Sequence, residues 1–130
     1  MSYLKQWKRE FMELLKLPNV IIENGLIKKI EYKNDNNETH RNSLIGPASI
    51  QYYEIGNINC KKYYENGKSY RLDGPTFIGY RRNYSMNCEQ YCENDMLHRL
   101  DGPAFIWYYE NGNIDHEEYY ENGTLIPHNN

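Results

Sequence analysis

No stretch of the 130 residues approaches the ~20 consecutive apolar residues of a membrane-crossing helix. The start, Met1-Ser2-Tyr3-Leu4-Lys5, lacks the continuous apolar run of a secretion leader. Cysteine is scarce and odd in number (Cys60, Cys88, Cys92), whereas a disulfide framework wants an even count. Basic residues almost vanish from the C-terminal part: residues 83–130 hold Arg99 and no other Lys or Arg, against nine Asp/Glu. Residues 1–82 hold 14 Lys/Arg and nine Asp/Glu. With a pI near 5.8 this is not the basic face of a nucleic-acid binder. These absences predict a soluble, reduced, cytoplasmic protein that binds neither membrane nor nucleic acid directly.

Tyrosine is what the chain has in excess: 14 residues, against three Phe and two Trp. Such rings are buried flat while their hydroxyls stay wet. At 15.6 kDa the chain has room for one core. The low mean hydropathy of −0.94 reflects Tyr and Asn, and the 25% of charged residues is ordinary for a folded domain.

The chain repeats itself. Gly46-Pro47-Ala48-Ser49-Ile50, Gly74-Pro75-Thr76-Phe77-Ile78 and Gly102-Pro103-Ala104-Phe105-Ile106 are spaced by 28 residues. Tyr52, Tyr80 and Tyr108 align, as do Tyr63, Tyr91 and Tyr119, and Asn66, Asn94 and Asn122. A worn copy begins at Glu23-Asn24-Gly25. Within a unit, apolar and aromatic residues alternate at period two from Pro103 to Tyr109, which predicts a strand. Asn111-Gly112 predicts a type I′ hairpin turn, Asn113 to Tyr120 the returning strand, and Asn122-Gly123 a second turn. Each unit then supplies two longer strands and a short third piece. In the second unit Arg82-Asn83-Tyr84 replaces Glu-Asn-Gly, which predicts a looser hairpin. In residues 1–17, Leu4, Trp7, Phe11, Leu14 and Leu15 recur at helical spacing between charged residues, with Ser2 as N-cap and Pro18 as stop. The expected fold is mainly β: an antiparallel meander of about three and a half 28-residue hairpin repeats over residues 18–130, with residues 1–17 as an amphipathic helical cap.

Residues 102–123, Gly-Pro-Ala-x-Ile-x-Tyr-Tyr-Glu-Asn-Gly-Asn-Ile and then Glu-Glu-Tyr-Tyr-Glu-Asn-Gly, resemble the MORN repeat, in its bacterial and viral form. The resemblance spans roughly residues 20–127. It implies a β-hairpin array. Some bacterial members are described as antitoxins, and eukaryotic members are mostly scaffolds. The extra Arg-Leu-Asp-Gly-Pro turn departs from the short motif. No catalytic residue comes with the family.

Cys60, Cys88 and His116 share one repeat position. Positions two strands apart are ~9–10 Å apart, too far to share a zinc ion or to form a disulfide. Tyr70 stands where the next unit has His98, which argues against acid–base chemistry at His98-Arg99-Leu100-Asp101. Glu117 and Glu118 fall on opposite faces of a strand, so they are no glycosidase pair. No cofactor, metal or catalytic residue is expected, and the protein is not read as an enzyme. Ile50, Ile78 and Ile106 share a parity with Tyr52, Tyr80 and Tyr108 and are expected to face the core. The opposite parity ends in Phe105, Trp107 and Tyr109. Trp107 and Tyr109, rimmed by Glu110, Asp115, Glu117, Glu118 and Glu121, form the expected partner-binding patch; the competing reading puts Trp107 and its neighbours under the N-terminal helix or another layer. The expectation is a non-enzymatic protein-binding module that docks its acidic, Tyr-rich C-terminal half on a basic, nucleic-acid-handling protein such as a nuclease or toxin. It would act as an antitoxin-like or phage anti-defence (anti-CRISPR-like) inhibitor, in bacterial or infected-host cytosol. The alternative is a structural or scaffolding repeat without inhibitory role.

Overall fold

The structure, a computed structural model, describes Lys8 and residues 16–128. The expected helical cap over residues 1–17 falls outside the described residues but for Lys8, Lys16 and Leu17, and residues 16–128 contain no helix.

Two strands open the chain, β1 (Asn19–Glu23) and β2 (Leu26–Glu31). A hairpin of β3 (Ser49–Tyr52) and β4 (Ile58–Lys62) follows, then a short ribbon of β5 (Tyr64–Glu65) and β6 (Lys68–Ser69). The pattern recurs as β7 (Phe77–Tyr80) and β8 (Met86–Gln90), with the ribbon β9 (Cys92–Glu93) and β10 (Met96–Leu97). It ends with β11 (Phe105–Tyr108), β12 (Ile114–Glu121) and β13 (Thr124–Ile126). Nine strands form one antiparallel sheet in the order β1-β2-β3-β4-β7-β8-β11-β12-β13, and the ribbons stand apart from it.

In the units that begin at Gly46 and Gly74 the short third piece is therefore not a rung of the main sheet. The chain leaves the sheet after Tyr63 and again after Tyr91, because the next strand takes that place: the Tyr63 amide donates to the Thr76 carbonyl, and the Tyr91 amide to that of Ala104. In the last unit β12, eight residues long, continues past Tyr119 to Glu121 and turns directly into β13, which joins the main sheet.

Register explains the repeated spelling. Ser49, Lys62, Phe77, Gln90, Phe105 and Glu118 form one row across the sheet. Gln51, Cys60, Gly79, Cys88, Trp107 and His116 form the next, on the same face. The opposite face carries Ile30, Ile50, Lys61, Ile78, Glu89, Ile106 and Glu117. Each long hairpin carries a bulge at one place, between Gln51/Tyr52, Gly79/Tyr80 and Trp107/Tyr108. A bulge accentuates local twist and re-aims the side chains beyond it.

The hairpin tips correct one turn assignment. Gly112, with φ 90°, is the sole positive-φ residue of its loop, and its amide donates to the Tyr109 carbonyl. That is a type I turn followed by a left-handed residue rather than a type I′ pair. Gly56 (φ 97°) and Tyr84 (φ 72°) take the same place in the other two tips. The second tip is thus not looser: Tyr84 holds the strained conformation, with its amide 3.0 Å from the Arg81 carbonyl. True Asn-Gly pairs with both residues at positive φ close β1–β2, β5–β6 and β12–β13.

The core is thin and sits where the chain leaves the sheet. Ala48, Thr76 and Ala104 are buried beneath Tyr63 and its equivalents, and Cys60, Cys88 and Ile106 are buried in the strands. An arginine covers each of these tyrosine rings: Arg41 over Tyr32, Arg71 over Tyr63 and Arg99 over Tyr91, with guanidinium carbons 4.0, 4.0 and 3.9 Å from the ring centroids. The same arginines donate to the carbonyls of Pro47, Pro75 and Pro103 at 3.3, 3.1 and 3.1 Å. Beyond Tyr119 no arginine follows, and His128 stacks on that ring at 3.9 Å instead.

Candidate protein-binding surface

The C-terminal surface is built on β11, β12 and β13. Trp107 is half-buried, and both of its ring faces are taken: Phe105 stacks on one at 3.5 Å between centroids, and His116, across the strand pair, lies at 4.1 Å. Trp107 therefore presents an edge rather than a platform. Its ring faces are covered by these two neighbours on the same face of the sheet. His116, a candidate ligand by alignment, is a stacking partner; among the described residues no three His, Cys, Asp or Glu side chains gather to hold a metal ion. Gly79 stands between Cys60 and Cys88 in the row, which keeps the two thiols two strands apart. Burial pushes both thiols up from their ordinary pKa, and the Cys92 thiol with them.

The acidic residues divide among three places. Glu110, Asp115 and Tyr109 surround the β11–β12 tip, where the bond to Asp115 pushes the exposed Tyr109 hydroxyl up in pKa. Glu117 shares the face of Ile106, whereas Glu118 shares the face of Phe105 and Trp107. Glu121, opposite Thr124, stands beside the last turn. The seven residues expected as one patch thus wrap the C-terminal hairpin on both faces and at both ends.

Two of the carboxylates are positioned by tyrosines two residues further on. Tyr119 Oη donates to Glu117 Oε2 at 3.2 Å, and Tyr120 Oη to Glu118 Oε2 at 2.7 Å. The pair on Glu118 raises the Tyr120 hydroxyl, as burial and then Glu117 raise that of Tyr119. Inward, Tyr108 and Tyr91 share Glu89, donating at 2.7 and 3.3 Å. Burial and then that bond push Tyr108 well above its ordinary value. Arg81 ties the second unit to the third by donating to the Tyr108 carbonyl. A recess of about 430 Å³ lies beside this surface, lined by Ile114, Asp115, His116, Glu117, Tyr119 and His128.

Sequence reasoning missed the arginine–tyrosine stacks. The signal was present, since Arg71 and Arg99 each follow their tyrosine by eight residues. The contact runs across a ribbon, however, so no strand or helix period points to it.

No protein-family model matches the chain, and no curated protein or solved structure does.

Proposed function

We propose that this protein is a non-enzymatic binding module whose C-terminal hairpin docks on a basic surface of a partner protein. One observation carries the reading: residues 102–130 hold five carboxylates and no Lys or Arg, and Glu110, Asp115, Glu117 and Glu121 are exposed there. A passive surface usually intersperses both signs. Like charges repel one another along a strand and cost stability in the free protein, a cost that a cationic partner relieves. The tyrosine–carboxylate bonds hold Glu117 and Glu118 in place before binding, which reduces the entropy lost on docking. Proteins that handle nucleic acid carry such cationic surfaces, because phosphate contacts dominate their affinity. The proposed action is inhibition by covering a nucleic-acid path, in the manner of an antitoxin or a phage anti-defence protein. The test is capture from a host extract at low and high ionic strength, with a variant in which Asp115, Glu117 and Glu121 are changed to Lys. The reading predicts a partner that is held at low salt, released at high salt and lost by the variant. A partner indifferent to both would overturn it.

A second reading, a scaffolding element without inhibitory role, is favoured by one observation, the exposed Val20, Ile21 and Ile22 of strand β1 at the far edge of the sheet.

A further inference from the structure

We propose that β1 is a self-association edge, pairing antiparallel with β1 of a second copy about a two-fold axis at Ile21. This goes beyond the docking reading and uses the opposite end of the molecule.

Among the described residues the nine-stranded sheet is open and has two edge strands. They differ. β13 is three residues long and is followed directly by Pro127. Short length and proline are the usual protections of an edge. β1 is longer, at five residues; Pro18 directly precedes it and its pairing with β2 carries a bulge between Ile21 and Ile22. Its five residues are all exposed, and Val20, Ile21 and Ile22 at its centre are 46, 48 and 63% accessible. They are uncharged and β-branched, the residue type that pairs best in sheets. A strand with one neighbour leaves main-chain donors and acceptors free along its other side. Together these form a ready template for another strand.

The template fits itself. With the axis at Ile21, Val20 meets Ile22 of the second copy, Ile21 meets its own equivalent, and Asn19 meets Glu23. No like charges stand opposite each other. Lys28 lies 3.2 Å from the Glu23 carboxylate, so the strand end is close to neutral. The two-fold arrangement is closed and stops at two copies. A five-residue strand pair covers less than the ~1,200 Å² of a standard stable interface, so the dimer is weak, with a Kd on the order of 10–100 µM. It places the two acidic C-terminal hairpins at opposite ends of one continuous sheet, giving a particle with two docking ends.

The test is sedimentation equilibrium of the full chain from about 1 to about 500 µM. A monomer–dimer transition in that range is expected, and Ile21→Lys, which sets two charges on the axis, abolishes it. Circular dichroism establishes that the variant is folded. Independently of stability, Ile21→Cys in a Cys92→Ser background forms a disulfide-linked dimer under mild oxidation, because directly opposite residues lie within disulfide reach. Val20→Cys in the same background does not. A chain that stays monomeric throughout overturns the proposal. So does a dimer that survives Ile21→Lys, or oligomers that grow past two.

Discussion

Arg99 lies flat over Tyr91, its guanidinium carbon 3.9 Å from the ring centroid, while Nη1 donates to the Pro103 carbonyl at 3.1 Å. One side chain thereby seals a ring against the sheet and fastens the turn that starts the next strand. Asp101 adds an ion pair to Nε at 3.0 Å, but its side chain is 87% exposed, so that pair contributes little. Arg99→Ala is expected to destabilise by about 1–3 kcal/mol and Asp101→Asn by well under ~1 kcal/mol. Arg99→Lys recovers little, since an ammonium lacks the plane and the fork. Urea unfolding midpoints of the three variants check this.

Tyr84 occupies a backbone conformation that its counterparts reach with Gly56 and Gly112. Its side chain is 75% exposed, so little contact is lost on removing it. Tyr84→Gly should stabilise by roughly 0.5–1 kcal/mol, and Gly112→Tyr should destabilise by about 1–2 kcal/mol. Thermal melts of the two proteins test the opposite signs.

Gly79 sits between the two buried thiols. A methyl group there would lie 3.2 Å from Cys88 Sγ and 3.3 Å from Phe77 Cε1. Gly79→Ala is expected to cost about 1–2 kcal/mol, and much of that loss disappears in a Cys88→Ala background. A double-mutant cycle in urea measures the coupling. Additive losses would mean that the sulfur is not the obstacle.

Glu31 carries a pH signature. Burial pushes its carboxyl up, but Lys29, Thr39 and Lys33 outweigh this and hold it at about 2. Oε2 is 2.6 Å from Lys29 Nζ, and Oε1 is 2.9 Å from Lys33 Nζ and 2.6 Å from Thr39 Oγ1. A depressed carboxylate contributes stability above its unfolded pKa and loses it as pH falls through the folded value. The contribution is therefore complete above the ordinary value of 4.5 and is lost as pH falls toward about 2. Glu31→Gln should lower stability at neutral pH and flatten the acid limb. Urea midpoints from pH 6 downward, wild type against variant, check both.

Much of the sheet was legible in the sequence because a strand writes itself at period two and a turn in Asn and Gly. Phe105 to Tyr108, Ile114 to Tyr120 and the Asn122-Gly123 turn followed from those signals. The ribbons did not, since Tyr64-Glu65 and Cys92-Glu93 differ from strand residues only in what their neighbours leave free. Bulges were equally hidden: alternation continues through Trp107 and Tyr108 while the partner strand skips a residue. In the docking surface, composition identified the acidic residues. Strand alternation put Glu117 and Glu118 on opposite faces, but which residues share each face depended on register, and the Phe105–Trp107–His116 stack depended on which strand lies opposite.

Every rung of the main sheet lies beside rungs close to it along the chain, and the widest steps between paired strands cross only a loop or a ribbon. Such wiring keeps loop closure cheap and favours rapid folding. Each hairpin can form locally before it meets the next. Unfolding should accordingly proceed by fraying inward from the two ends, with amide hydrogen exchange slowest around β7 and β8 at the middle of the stack.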